Sequence, residues 1–272
     1  MFDNKNNRGF DEGPSLGRGF EDDRYGNRRM ERDSYAKSAA FDAAGSFETR
    51  TALYVAKVMG WMCVGLLTTV VAAMAALSVE SLWMLVFGSQ FGFFGIIIAQ
   101  FVLVIALSAA LHKMSVGVAT FMFLAYSALT GLTMSVFVLI YELSSLLLAF
   151  SVTTFVFLTM ATYGFATKKD LTHVGRLAFF GLIGIIGAAI VNFFLGNTML
   201  DFAITVVGVV VFIGLIAYDT QHIKAIFQNA VAEGYDEDTP QLRKLAIYGA
   251  LKLYLDFINL FIMLLRLLGR KR

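Results

Sequence analysis

Two acids set in apolar sequence carry most of the chemistry open to this chain. Asp219 lies in Ile213-Gly-Leu-Ile-Ala-Tyr-Asp-Thr-Gln221, and Asp256 in Leu251-Lys-Leu-Tyr-Leu-Asp-Phe-Ile-Asn-Leu-Phe261. An ionisable group at membrane depth costs about 3 kcal/mol or more, so each acid needs a partner or a purpose. Two facing carboxyl groups in a low dielectric do not both ionise cheaply. They share a proton and titrate as a coupled unit. Such a pair is a proton-controlled latch: the shared proton ties two helices together, and its loss leaves like charges that push them apart. A path opened in this way and lined by carboxylates admits cations. Calcium suits it as a passing ion held transiently by Asp219 and Asp256, because two acids fall short of the roughly six to eight oxygens of a tight calcium site.

Lys252, four residues before Asp256, is the candidate counter-ion. A simpler reading pairs Asp256 with Lys252 along one helix face and lets Asp219 reach the membrane interface alone. Other polar groups in apolar runs are easier to place. Lys57 sits near a helix start, where its long stem carries the ammonium back to the surface. His112, His173 and His222 fall at helix ends, which suits solvation or dipole compensation better than metal ligation. The single cysteine, Cys63, excludes an intrachain disulfide framework and reads as packing among its apolar neighbours.

The elements that must hold these acids are membrane helices. The 272 residues are 58% hydrophobic and only 15% charged, with a mean hydropathy of +0.70, against about 25% charged in a soluble domain. Apolar runs near the bilayer-spanning length of about 20 residues are expected at 52–77, 91–111, 117–140, 143–166, 177–196, 202–223 and 246–268. An all-α integral membrane protein with seven transmembrane helices follows, its membrane domain being 49–272. Gly181, Gly184 and Gly187, small residues three apart, are expected to form a close packing face. Residues 1–48 are rich in Gly, Arg, Asp, Glu, Asn and Ser without apolar periodicity, the composition of a disordered tail. Its arginines alternate with acids, which argues against nucleic acid as a partner.

Charge assigns the sides. Lys113, then Lys168, Lys169 and Arg176, then Lys224, Arg243 and Lys244 follow the second, fourth and sixth runs, while the loops after the first, third and fifth hold no Lys or Arg. The positive-inside rule then puts the N-terminus in the cytosol. The last run breaks the pattern, since seven spans leave the C-terminus outside, yet Arg266, Arg270, Lys271 and Arg272 make that end basic. Either the last run spans against its local charge, the favoured reading, or it is re-entrant.

No His-Glu-x-x-His pair, Gly-x-Ser-x-Gly elbow or Gly-rich phosphate loop occurs, so an enzyme is not expected, nor a resident cofactor. A retinal protein with Lys252 as its attachment point is disfavoured, because the third run has no acid to act as counter-ion.

The sequence resembles the Bax inhibitor-1 family, also called the transmembrane Bax inhibitor motif family, and its bacterial branch most closely. The resemblance rests on Ala217-Tyr-Asp-Thr-Gln221, Ala250-Leu-Lys-Leu-Tyr-Leu-Asp-Phe-Ile-Asn-Leu-Phe261, Ala128-Leu-Thr-Gly-Leu-Thr-Met-Ser135, Tyr163-Gly-Phe-Ala-Thr-Lys-Lys-Asp-Leu-Thr172 and Val58-Met-Gly-Trp-Met-Cys-Val-Gly-Leu-Leu67. It implies a fold in which the last helix is surrounded by the first six, a bacterial inner (plasma) membrane location, and a pH-sensitive calcium leak channel gated by Asp219 and Asp256. It also implies a basic latch on the second helix, which this chain lacks, having no Arg between Arg50 and Arg176 and no Lys within its second run; Lys252 is the candidate replacement. The alternative function is a non-conducting regulator whose N-terminal tail engages a membrane protease or another membrane protein.

Overall fold

A computed structural model describes residues 18–236 and 238–272 of the chain. It divides into two units, Met1–Arg50 and Thr51–Arg272. Among the described residues the α-helices are α1 (Arg18–Ser78), α2 (Glu80–Phe87), α3 (Gln90–Ala110), α4 (Val116–Ile140), α5 (Leu143–Ala166), α6 (Thr172–Leu195), α7 (Thr198–Ala232) and α8 (Pro240–Leu268), with a 3-10 turn at Leu111–Lys113. The expected tail falls partly within α1 and partly, over residues 1–17, outside the described residues. In the first unit Ser38 Oγ donates to Tyr35 O at 3.0 Å and Thr49 Oγ1 to Gly45 O at 2.9 Å.

The helix starts in the second unit follow their capping residues. Ser115 Oγ accepts from Val118 N, Asn197 Oδ1 from both Met199 N and Leu200 N, and Thr239 Oγ1 from Leu242 N ahead of Pro240 in the first turn of α8. Each satisfies amides that lack an intrahelical partner. Gly196 closes α6 in the left-handed region at φ 61°, and Gly234 turns the chain after α7 at φ 88°, positions where a side chain is strained.

Among the described residues six stretches are long and apolar enough to cross a membrane: Gly45–Ser78, Phe91–Lys113, Val116–Ile140, Leu143–Ala166, Thr172–Leu195 and Thr198–Ala232. The expected runs at 91–111, 117–140 and 143–166 match theirs closely. α8 is not among the six. It is nevertheless the most enclosed of the later helices, with thirteen of its 29 residues buried against three of 24 in α6. Tyr254 on α8 is fully buried and shares a 2.6 Å hydrogen bond with Thr69 Oγ1 of α1, with the rings of Phe123 and Tyr126 of α4 edge-on to it. Phe257 sits edge-on to Phe150 and Phe157 of α5.

Both ends of α8 are tied. At its start, Lys244 Nζ donates to His112 O at 3.2 Å and Leu242 O accepts from Tyr54 Oη at 3.2 Å. At its end, Arg270 N donates to Ser145 Oγ at 2.9 Å, Glu142 N to Arg270 O at 3.1 Å, and Arg272 N to Ile140 O at 2.9 Å, with a β-bridge between Tyr141 and Lys271. His112 precedes α4 and Ile140 is its last residue, so α8 runs the full length of α4, about 37 Å for 25 residues.

Two expectations need correction. Cys63 is exposed, not packed. The Gly181, Gly184 and Gly187 stripe is not a packing face either: a side chain at Gly181 would meet Val211, but nothing lies within 4 Å of Gly184 or Gly187. Residues three apart drift by about 60° around a helix, so three of them cannot face one neighbour. The close approaches lie elsewhere: a Cβ at Gly164 of α5 would collide with the Ala217 backbone of α7, and one at Gly131 of α4 with the Thr69 carbonyl oxygen of α1.

Candidate functional site

Asp219 and Asp256 are both buried, at 6% and 5% relative exposure, and both line one cleft of about 540 Å³ between α6, α7 and α8. Three helices supply it: Gly175, Arg176, Phe179 and Phe180 from α6, Tyr218 and Asp219 from α7, and Lys252, Leu255, Asp256 and Asn259 from α8. The close helix approaches flank it. Gly164 lets α5 lie against α7 at Ala217, two residues from Asp219, and Gly175 faces the ring of Tyr218.

Helix lengths bring the acids to one level. The apolar pattern ends the sixth run near 223, which leaves Asp219 about 6 Å from the helix end, close to the depth of Asp256 only if the seventh run starts late. In fact α7 continues to Ala232, placing Asp219 thirteen residues, or about 20 Å, from its end. Asp256 is sixteen residues, or about 24 Å, into α8. The two antiparallel helices therefore set the carboxyls at similar depth.

Lys252 Nζ donates to Asp219 Oδ1 at 2.9 Å, with 29% of the lysine side chain and 8% of the aspartate side chain exposed. The pair excludes the simpler arrangement in which Lys252 serves Asp256 and Asp219 stands alone. The reason is directional: helical side chains lean toward the N-terminus, so a lysine four residues before an acid points away from it. Asp256 Oδ2 is buried without a hydrogen-bond partner. The Asp256 carboxyl interacts electrostatically with both Asp219 and Lys252. His222 lies one turn from Asp219, with its ring stacked on Tyr218, and senses the charges of both Asp219 and Lys252. Tyr248 places its ring 6.0 Å from Lys252 Nζ. From α6, Arg176 lines the cleft and contacts His173 Nδ1 at 3.4 Å.

The site is thus a trio of two carboxyls and one ammonium. With one of the two carboxyls protonated it is neutral. Without that proton it carries one net negative charge in a place where Asp256 has an oxygen with no donor. Among the described residues no three His, Cys, Asp or Glu side chains gather into a metal-binding group.

Asn259 and Arg176 were not singled out for this cleft from the sequence. For Asn259 the signal was there: Lys252, Asp256 and Asn259 are spaced four and three apart and share one helix face. A second acid–base contact, Arg266 with Asp201, joins the end of α8 to the first turn of α7. It was missed because Asp201 looks like an ordinary helix-start acid. On the other flank Gln221 holds the loop before α6, its Oε1 accepting from Leu171 N at 2.9 Å and its Nε2 donating to Lys169 O at 2.8 Å.

Residues 51–272 match a family model described as Inhibitor of apoptosis-promoting Bax1. The chain is 48% identical over 219 residues to the Inner membrane protein YbhL of Escherichia coli (strain K12), covering 80% of this chain and 92% of that one. An uncharacterized protein of Borreliella burgdorferi is 43% identical over 219 residues, again 80% and 92% of the two chains. An uncharacterized protein of Rickettsia prowazekii is 40% identical over 227 residues, 84% of this chain and 93% of the other. The match spans the whole second unit, including both aspartates, and the chain is accordingly an integral membrane protein that belongs to the Bax inhibitor-1 family.

Proposed function

We propose that the chain is a pH-sensitive cation leak, with calcium among its permeant ions, closed by the Asp219–Lys252–Asp256 trio. The observation that carries this reading is Asp256 Oδ2, buried without a donor beside a second carboxyl. A group in that position is expensive unless a proton or a cation completes it. In the closed state the shared proton and the Lys252 ammonium balance the two acids. When the proton leaves, the uncompensated charge loosens α8 from α7 at this level, and a cation entering the cleft takes over the balancing role. Two carboxylates and the Asn259 amide oxygen bind such an ion weakly, which favours passage over storage. Lys252 stands where a separate basic latch would otherwise be needed.

In this reading α8 is the seventh span, enclosed by the others. Its support is the burial of thirteen residues and the ties of its two ends to opposite ends of α4. The end of the bundle holding Lys113, Lys168, Lys169, Arg243 and Lys244 faces the cytosol, along with the N-terminus, on the positive-inside rule. No covalent chemistry and no resident cofactor are involved.

The test is calcium flux into liposomes at steps across about pH 5 to 8, which lies above the ordinary carboxyl value of about 4. Flux is expected to rise with pH in the wild type and to lose that dependence in Asp219→Asn and Asp256→Asn. Wild-type flux with wild-type pH dependence in both variants would sink the idea.

A further inference from the structure

A second cavity, on the other flank of α8, has no place in the leak. It encloses about 380 Å³ between α1, α4, α5 and α8, within the range of roughly 300–1,000 Å³ of ligand sites. Its lining is apolar but for Thr69, whose hydroxyl is already engaged with Tyr254. Ala73 and Phe257 form its floor, at 8% and 3% exposure, and Val70, Met74, Leu147 and Phe150 form its rim, 45–64% exposed. The rim residues belong to helices long and apolar enough to span a membrane. The groove therefore opens sideways, toward lipid.

Its length fits one kind of occupant. Along α1 the lining runs from Leu66 to Leu77, eleven residues and about 16 Å, close to half of the about 30 Å hydrocarbon core. One leaflet's acyl chain fills it. The Leu77, Val138 and Leu146 end of the groove adjoins the turn Ile140–Ser145, where the chain's last residues are pinned. Arg270, Lys271 and Arg272 are exposed there. They are the same cations that break the charge pattern of the loops, and backbone bonds to Ile140, Glu142 and Ser145 fix them at the groove's mouth.

We infer that this groove and the basic C-terminus together form a binding site for an anionic glycerophospholipid. One acyl chain lies between α1, α4, α5 and α8, and the phosphate headgroup lies at Arg270, Lys271 and Arg272. Basic side chains at a membrane surface attract anionic headgroups, by about fivefold in affinity for each charge near the lipid. The site does not depend on the leak reading.

The test is native mass spectrometry of the full chain in mild detergent, with added phosphatidylglycerol or phosphatidylcholine of identical acyl chains. Wild type is expected to retain phosphatidylglycerol at least fivefold better than phosphatidylcholine. Replacing Arg270, Lys271 and Arg272 by Gln removes that preference, and because these side chains are exposed the variant folds. Ala73→Trp fills the floor and lowers retention of both lipids; Met74→Trp, at the exposed rim, does the same with less risk to folding. Equal retention of the two lipids by wild type, or an unchanged preference in the triple variant, overturns the headgroup assignment. Unchanged retention in a folded Ala73→Trp or Met74→Trp variant overturns the groove.

Discussion

Lys252 on α8 donates its hydrogen bond to Asp219 on α7, across the helix pair, and not to Asp256 on its own helix. The lysine is therefore the polar bolt between the two helices, and Asp256 is left beside it with an unpartnered oxygen. Removing the bolt leaves a buried carboxylate without its cation, which costs about 3 kcal/mol, the low end for a broken buried pair because 29% of the lysine side chain keeps contact with its surroundings outside the protein. Lys252→Met is expected to lower the unfolding midpoint in detergent, and adding Asp219→Asn to recover most of the loss.

Asp256 should behave in the opposite sense. Its Oδ2 is buried without a donor, and replacing an unsatisfied polar group by an apolar one of similar size is neutral or stabilising. Asp256→Val is expected to leave thermal stability unchanged or raise it by about 1 kcal/mol while abolishing pH-dependent flux. A loss of stability together with retained pH dependence would show that the carboxyl is structural.

Gly164 sets the distance between α5 and the stretch of α7 that carries Asp219. A methyl there collides with the Ala217 backbone, and backbone cannot step aside as a flexible side chain does. Gly164→Ala is expected to destabilise by about 1–3 kcal/mol in chemical unfolding. Gly184→Ala, with open space around it, should be neutral or slightly stabilising.

Asp170, in the connection before α6, supplies a pH-dependent contribution outside the membrane. Its Oδ1 accepts from Thr172 Oγ1 at 2.6 Å and from Thr172 N at 2.9 Å. These bonds hold its carboxyl below its ordinary value. A depressed folded value means that the stabilisation is present at neutral pH and is lost as pH falls through that value. Asp170→Ala should therefore melt below wild type at pH 7, and the two melting curves should converge as the solution is made acidic. Because Asp170 is exposed, the difference is small.

The placement of α3, α4 and α5 was legible because apolar length alone marks a helix that faces lipid. The same signal failed where helices run on past the apolar zone. Residues Lys224–Ala232 continue α7 with a mixed face that a hydropathy reading cuts off, and that cut misjudged the depth of Asp219. α2 is too short to register as a run. Both aspartates and Lys252 were legible as costly residues in apolar surroundings, but the partner of Lys252 was not. That choice depends on the lean of a helical side chain and on which neighbour lies behind it, and neither is carried by spacing along one helix. The glycines show the same limit: a conspicuous stripe on α6 packs against little, while the isolated Gly164 and Gly131 mark the close contacts.

The ties at the two ends of α8 restrict how any gate here can move. Lys244 and Leu242 are bonded at one end of α4's length, and Arg270 and Arg272 at the other. A helix held in this way cannot slide like a piston by a turn of 5.4 Å without breaking hydrogen bonds at both ends. What it can do is bow or twist between its fixed ends, like a string plucked at mid-length, and the middle of that string is the turn from Lys252 to Asp256.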